Sequence, residues 1–321
     1  MRGTLIRSAL GPEQGSNAPF SENPFLKMKT RGLLLWAIVG FLAIGVAIIL
    51  IQESELANQV LLTRLVELSF YLWILYWIYR NSKLSGVSPR KLLRGGIRIG
   101  APLLIGLVLA MFFFSGGLAR VLHYAVSRWW PNFDFLFHSG RTLAPSGSSI
   151  TDLSGMLLDI LNILLVVPLT EETMCRGILL NRWIAKWGAA TGILLSAMVF
   201  AIPHVSHAPG AFLSGICLAI MYIKTRTLWT PIVAHSLYNG VVIALPFLRG
   251  SSVVGPWLNT IGLNRGGLLV GIVYIGLTLP LLVIYIWRNW PHRTIACPYI
   301  RKARAPLSRD QLKLTRARLN C

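Results

Sequence analysis

Apolar runs close to the length of a bilayer crossing constrain the fold of this chain more than any other feature. The hydrocarbon core of a membrane needs roughly 20 helical residues. Eight such runs lie at about 33–51, 60–79, 99–115, 151–183, 189–203, 211–223, 228–248 and 266–287. Only 13% of the residues are charged, against about 25% in a soluble domain. We therefore expect an all-α protein, a polytopic membrane helix bundle of about eight transmembrane helices.

The basic residues indicate how the chain is oriented. The sequence carries 31 Lys and Arg against 11 Asp and Glu, and Lys and Arg concentrate in cytoplasmic loops. Counting them places both termini, the loop after the second run and the turns at 182–186 and 224–226 in the cytoplasm. The basic tail is then an orientation signal that contacts anionic membrane lipids. Nucleic-acid binding is excluded because no soluble segment is long enough to hold a known fold for it.

The chain divides by composition into five regions. Residues 1–30 are a polar cytoplasmic head without the early apolar region of a signal peptide. A catalytic core is expected at 151–248, a last transmembrane region at 249–287 and a basic cytoplasmic tail at 288–321. Residues 31–150 hold the first transmembrane helices and a connection at about 116–149. That connection is expected at the membrane–water boundary because of its aromatic residues, which are Trp129, Trp130, Phe133, Phe135 and Phe137.

Three charges interrupt the fourth apolar run, at Glu171, Glu172 and Arg176. Each ionised side chain in hydrocarbon costs roughly 2.5–3.5 kcal/mol, so these charges must be paired or lead to water. Glu172 and Arg176 are four residues apart on one helix face and can neutralise each other. Glu171 is rotated by roughly 100° from Glu172 and lacks that partner. It is a candidate general base.

Two further polar pairs interrupt later runs. Phe200 and His204 are four residues apart, as are His235 and Asn239, so each pair shares a helix face. Counting about 1.5 Å per residue from the basic turns places Glu171, His235 and Asn239 at similar depth, with His204 somewhat farther. One polar cavity is expected to collect them.

These motifs resemble the CPBP family of intramembrane proteases, also called the Abi or CAAX-protease family, which includes the Ras and a-factor converting enzyme. The family is marked by E-E-x-x-x-R, F-x-x-x-H and H-x-x-x-N or D. The chain has them as 171–176, 200–204 and 235–239, within a matching stretch of about 155–245. It departs from the family at Cys175, where relatives often have phenylalanine. Pro203 is expected to bend the helix end before His204.

The resemblance implies an endopeptidase whose membrane-associated peptide or protein substrate is drawn into the bilayer. Glu171 and His204 would activate a water molecule, while His235 and Asn239 would stabilise the oxyanion. Glu172 and Arg176 would form a supporting pair, with Phe200 beside them. A carboxylate in a low-dielectric site can take a proton from water and return it to the leaving amine.

Several alternatives stay open at this point. Glu171, His204 and His235 would make a two-histidine, one-carboxylate zinc site, although a metal-free glutamate mechanism without a cofactor is favoured. Cys175 could be a nucleophile if His204 served as its base, and His207 could be a polar residue near the membrane exit. Different classes of function are a non-catalytic scaffold or immunity protein and a transporter, although the sequence shows none of the internal repeat that a transporter would favour. The short loops favour a bacterial inner membrane.

Overall fold

The computed structural model describes residues 23–54, 59–130, 132, 150–250, 267–291 and 298–299, and all regular structure in these ranges is helical. Some predictions lie outside the described residues. They concern nearly all of the polar head, the basic tail after Tyr299, and the residues Phe133, Phe135 and Phe137.

The helices form an antiparallel bundle and are largely apolar. The first half contains α1 (Pro24–Lys27), α2 (Thr30–Gln52), α3 (Gln59–Leu84), α4 (Pro89–Leu92) and α5 (Ala101–Trp129). The second half contains α6 (150–187), α7 (Ala189–Ala201), α8 (Ala208–Thr225), α9 (Trp229–Gly250) and α10 (Leu268–Asn289). Among the described helices, α2, α3, α5, α6, α8 and α10 are long and apolar enough to cross a membrane, and the apolar helices Ala189–Val205 and Trp229–Leu245 are shorter. The prediction of a polytopic all-α bundle is confirmed.

The third run is a longer helix than the sequence predicts. The boundary connection was expected to begin at about residue 116, but α5 continues to Trp129. Its second half packs against α10, where a Cβ atom on Gly117 would lie 2.8 Å from the carbonyl oxygen of Gly271. The two backbones can approach this closely because both positions are glycine. Packing against α10 therefore keeps residues 116–129 helical, and the part of the prediction that placed them in a connection is wrong.

The helix that carries the charged motif, α6, is interrupted by two π-helical segments. It is α-helical at Ile150–Leu161, π-helical at Asn162–Val166, α-helical at Val167–Glu172, π-helical at Thr173–Leu180 and α-helical at Asn181–Trp187. A π turn shifts the hydrogen-bond register by one residue and is frequent at functional sites. The second π segment begins directly after the two glutamates.

Helix α7 ends in a short irregular turn. Residues Ile202–His207 form a 3₁₀ turn in which Val205 has φ 13° and ψ −80°, outside the helical region. Pro203 lies inside this turn, so the predicted bend of the helix end is confirmed. The turn places His204 between α7 and α8.

Contacts between sequence-distant segments gather the loops at one end of the bundle. At this end α2, α5, α7 and α9 begin, and α3, α6, α8 and α10 end. The ring of Phe25 packs edge-on against Tyr299 at 5.0 Å between ring centroids. The indole Nε1 of Trp229 donates to the carbonyl oxygen of Leu93 at 2.8 Å. Because the loops rich in Lys and Arg lie here, we call this the basic end.

Candidate active site

The predicted ion pair inside α6 is formed and fully desolvated. Nη1 of Arg176 donates to Oε1 of Glu172 at 2.8 Å, and neither side chain exposes any surface. The i, i+4 spacing of the two residues brings them together on one face, as the sequence predicts. The net charge of the pair is zero, which makes its burial among apolar helices tolerable.

The remaining contacts of Arg176 tie α6 to two other helices. Its Nη2 donates to the carbonyl oxygen of Gly215 in α8 at 3.0 Å. Its guanidinium carbon lies 4.5 Å from the centroid of the Phe200 ring in α7, a cation–π contact that is strengthened when both groups are desolvated. A Cβ on Gly215 would lie 3.0 Å from the Cα of Ala197. The glycine therefore lets α7 and α8 approach closely.

The Phe200 ring lies between the two histidines. Its centroid is 5.0 Å from that of His204 and 5.4 Å from that of His235, which meets it edge-on. The structure therefore brings the predicted residues Phe200, His204 and His235 together, with Arg176 over the same ring. Phe200 was expected only as a supporting residue, but its ring is in contact with both histidines.

Hydrogen bonds determine which nitrogen of each histidine is available. Nδ1 of His204 lies 2.8 Å from the carbonyl oxygen of Phe200, and Nδ1 of His235 lies 3.1 Å from Oε1 of Glu172. A carbonyl or a carboxylate can only accept, so both Nδ1 atoms carry the proton. The Nε2 edges of both rings are therefore left for chemistry.

Asn239 is positioned by the first π segment of α6. In this segment the N–H of Val167 donates to the carbonyl oxygen of Asn162, and the next residue, Pro168, has no N–H to give. The carbonyl oxygen of Ile163 is thus left without its helical partner, and Nδ2 of Asn239 donates to it at 2.9 Å. A proline in α6 therefore fixes the side chain of an asparagine in α9.

Glu171 has none of the partners of its neighbour. Its Oε2 is buried and makes no hydrogen bond within the described part of the chain, whereas Oε1 of Glu172 has two partners. The expectation that Glu171 lacks the arginine is thus confirmed. No hydrogen bond joins Glu171 to His204 among the described residues. A buried carboxylate oxygen of this kind is suited to bind water.

Sequence reasoning missed Asn181, five residues after Arg176. Its Nδ2 lies within hydrogen-bond distance of the carbonyl oxygens of Arg176 (3.0 Å) and Gly177 (2.9 Å) and of the hydroxyl of Tyr222 (2.8 Å). These carbonyls belong to the second π segment. Asn181 could have been found from the sequence because it is a polar residue in an otherwise apolar run. It lies just where the second π segment ends.

Two alternatives from the sequence fit the geometry less well. Within the described ranges, no three His, Cys, Asp or Glu residues are grouped so that they could hold a metal ion. A zinc site of Glu171, His204 and His235 therefore does not fit this arrangement, and no step below passes through a metal. Cys175 is a free thiol with no exposed surface, which leaves a substrate no access to it. His207 lies exposed in the turn after His204.

Comparisons with known proteins agree with the motifs. Residues 153–241 match the family model described as type II CAAX prenyl endopeptidase Rce1-like. A Bacillus subtilis (strain 168) protein named "Putative membrane peptidase YdiL" is 26% identical over 162 residues, which are 49% of this chain and 62% of that protein. An Escherichia coli protein named "Uncharacterized 24.3 kDa protein" is 24% identical over 172 residues, 51% of this chain and 71% of that one. No solved structure matches the chain.

The family match covers α6 to α9 and encloses the site. It contains the glutamate pair of α6, the 3₁₀ turn with His204 and the His235–Asn239 pair of α9. The match to YdiL extends over less than two thirds of that protein's length. The segment 153–241, with its three motifs, is similar to the Rce1-like type II CAAX prenyl endopeptidase family.

Proposed function

We propose that the chain is an intramembrane endopeptidase of the glutamate type that hydrolyses a peptide bond in a membrane-associated peptide or protein. One observation carries the proposal. Two histidines from different helices contact one aromatic ring, and each is held through Nδ1, so both present Nε2. Histidines held in this way are suited to proton transfer and to hydrogen bonding of a reacting group.

Glu171 and His204 activate the water. The unpartnered Oε2 of Glu171 accepts a proton from a water molecule, and the lone pair of His204 Nε2 orients the same water. The hydroxide attacks the carbonyl carbon of the substrate, and the carbonyl π electrons move to its oxygen. Glu171 then gives its proton to the leaving nitrogen as the C–N bond breaks. The products are a carboxylic acid and an amine, and Glu171 is again a carboxylate.

His235 and Asn239 stabilise the oxyanion. Because Nδ1 of His235 donates to Glu172, its Nε2 donates to the oxyanion when the ring is an imidazolium. Asn239 uses one amide hydrogen for Ile163 and keeps the second. Such a donor is worth about 2.7–4 kcal/mol when water is excluded.

The experiment compares the purified protein with Glu171→Gln and Glu172→Gln on a quenched peptide library in nanodiscs, with and without a chelator. We expect Glu171→Gln to remain folded and to lose at least about 100-fold in cleavage rate, because general bases contribute factors of this order. Glu172→Gln is expected to lose cleavage together with stability, because it leaves Arg176 unpaired.

The other outcomes separate the remaining hypotheses. Undiminished cleavage by Glu171→Gln would show that Glu171 is not the general base. Loss of cleavage with chelator, restored by zinc, would favour a metalloprotease. A wild-type protein that cleaves no peptide of the library while Glu171→Gln leaves its fold and stability unchanged would support the scaffold hypothesis.

We place the protein in a bacterial inner membrane with both termini in the cytoplasm, in contact with anionic lipids.

A further inference from the structure

The second π segment of α6 lies inside the candidate site and is followed by a buried side chain that the proposed chemistry does not use. Thr173–Leu180 is π-helical and contains Arg176, whose guanidinium lies 2.8 Å from the Glu172 carboxylate. Asn181 comes directly after the segment and exposes no surface. The winding between Glu172 and Asn181 therefore determines where the arginine meets its partners.

The change of register at Asn181 leaves two backbone carbonyls in need of a donor. A π register would give the N–H of Asn181 to the carbonyl of Arg176, and an α register would give it to that of Gly177. This N–H donates instead to the carbonyl oxygen of Ile178. Nδ2 of Asn181 lies 3.0 Å from the Arg176 oxygen and 2.9 Å from the Gly177 oxygen. Because a buried carbonyl without a donor is costly, the side-chain amide stabilises this winding.

The first π segment is held by the same chemistry. There Nδ2 of Asn239 in α9 donates to the carbonyl oxygen of Ile163 at 2.9 Å. Each π segment of α6 thus has an asparagine amide on a carbonyl that the register change has freed. One amide comes from a neighbouring helix, and the other comes from Asn181 in α6 itself.

The C-terminal segment and α8 hold Asn181 in turn. The backbone N–H of Tyr299 donates to Oδ1 of Asn181 at 3.4 Å, and the hydroxyl of Tyr222 in α8 lies 2.8 Å from Nδ2. Tyr299 is itself docked, because its hydroxyl accepts from the N–H of Ser88 at 2.9 Å and its ring packs edge-on against Phe25. A contiguous set of contacts therefore leads from the C-terminal segment to the π segment of the site.

We propose that Asn181 is a positioning residue for the hydrolysis and that the docked C-terminal segment at Tyr299 keeps it in place. Asn181 acts through the winding of residues 173–180. If the same residues adopted α winding, the glutamates would turn by about 100° relative to the end of α6. The amide opposes this turn and so keeps the Glu172 carboxylate 3.1 Å from Nδ1 of His235.

Two discrete windings of one segment are the kind of element through which distant residues can be coupled. The C-terminal segment favours the π winding because it holds the amide that this winding needs. This inference rests on the proposed function, which supplies the reaction that the winding serves.

Cys175 reports the winding without any assay of proteolysis. It lies inside the π segment and exposes no surface, as does Cys217 in α8, so alkylation of either thiol requires a local opening. The full-length protein in nanodiscs is treated with the membrane-permeable reagent N-ethylmaleimide. Mass spectrometry of its peptides gives both rates in one sample, with Cys217 as the internal reference.

The test variant is Asn181→Ala, which removes the amide and adds no bulk to a buried position. Asn81→Ala in α3 is the matched control. Nδ2 of Asn81 donates to the carbonyl oxygen of Trp77 at 2.9 Å, which is also four residues earlier in the chain, but this contact lies outside the site.

We expect Asn181→Ala to raise the alkylation rate of Cys175 relative to Cys217 by at least about tenfold, because two buried carbonyls lose a donor. Asn81→Ala is expected to leave this ratio unchanged. In cleavage, kcat of Asn181→Ala should fall at least about tenfold, because the reacting groups are displaced. KM should change little, since Asn181 is not one of the residues proposed to contact the substrate.

Two results would overturn the proposal. One is a wild-type ratio or a wild-type kcat in Asn181→Ala. The other is an equal rise for both cysteines, because it would show a general loosening of the bundle rather than an opening of the π segment.

A second variant tests the C-terminal segment and decides alone if Asn181→Ala does not fold. Tyr299→Ala keeps the amide but removes the ring that packs against Phe25, and it is expected to raise the Cys175 ratio several-fold. Tyr76→Ala, at a position of α3 that is 59% exposed, is the control and is expected to leave the ratio unchanged. An unchanged ratio in Tyr299→Ala would show that the C-terminal segment does not hold Asn181.

The failure of this inference and that of the proposed function give different results. If the Cys175 ratios are as expected but the wild type cleaves no membrane peptide, the proposed function fails and the role of Asn181 in the winding stands. If the wild type cleaves and Asn181→Ala matches it in both measurements, the proposed function stands and Asn181 is not a positioning residue.

Discussion

Two charged clusters lie along α6, and they differ in burial and in what they touch. Near the start of the helix, Nε of Arg64 in α3 lies 2.8 Å from Oδ2 of Asp159, with side chains 15% and 4% exposed. Near its middle, the Glu172–Arg176 pair exposes nothing and contacts His235. The first cluster joins two helices, whereas the second also orients a histidine. The difference shows that charged side chains inside a membrane helix can serve only to join two helices.

The sequence anticipated the two clusters unequally. Arg64 and Glu67 are three residues apart, so they share a helix face, and the structure has this pair at 3.6 Å. The closer contact to Asp159 could not be seen, because it depends on how α3 packs against α6. Spacing within one helix can be counted, but contact between helices cannot.

The largest effect is expected from breaking the buried cluster. Arg176→Gln leaves the Glu172 carboxylate buried without its charge partner, a change that costs about 3–5 kcal/mol. Thermal unfolding in nanodiscs would show a much lower midpoint, and cleavage would be abolished. Arg80→Gln, at an exposed position of α3, is the control and is expected to change neither. Wild-type stability of Arg176→Gln would show that the pair contributes nothing.

A smaller loss of stability is expected from a methyl group between α7 and α8. Gly215→Ala places a Cβ 3.0 Å from the Cα of Ala197, and overpacking of this kind costs about 1–3 kcal/mol. The shift also moves the carbonyl that accepts from Arg176, so cleavage should fall as well. Gly106→Ala is the matched control, since its Cβ would meet nothing within 4 Å. Equal unfolding midpoints for the two variants would contradict the close approach.

The cluster at Asp159 should matter less. Asp159→Asn removes one buried partner of Arg64, but Arg64 keeps its contact with Glu67, so the cost should stay below the roughly 3–5 kcal/mol of a fully broken buried pair. We expect a small drop in the unfolding midpoint and nearly unchanged cleavage. A double-mutant cycle with Arg64→Gln measures the pair itself. A loss of cleavage as large as that of Arg176→Gln would erase the distinction between the two clusters.

The smallest change in stability, with a specific effect on activity, is expected at Pro168. Pro168→Ala supplies an N–H that can donate to the Ile163 carbonyl and release Asn239. Stability should stay level or rise, whereas kcat should fall and KM should change little, because only the oxyanion contact is disturbed. The same substitution in an Asn239→Ala background is the control and is expected to have no further effect. A fall in kcat in that background would show that Pro168 acts by another route.

The sequence predicted much of the fold and some of the contacts at the candidate site. Apolar runs gave the helices, and i, i+4 spacing gave the Glu172–Arg176 pair and the shared face of Phe200 and His204. The end of α5 was wrong because its last turns are held by a glycine contact with α10, which is distant in the sequence. The hydrogen bonds accepted by the backbone carbonyl oxygens of Gly215 and Ile163 could not be predicted from the sequence, because every residue has a backbone carbonyl.

The two π segments of α6 also bear on how this helix tolerates changes of length. A π turn accommodates one residue more than an α-helix does over the same rise. Deleting one residue between Asn162 and Val166 could therefore return that segment to α winding without breaking the helix. The glutamates and the segment before the deletion, Asp159 included, would keep their relative orientation, because the α-helix makes the same turn with one residue fewer. A deletion in an α segment of the same helix would instead rotate everything before it by about 100°, so a π segment can lose a residue without turning the Arg64 contact of Asp159 relative to the glutamates.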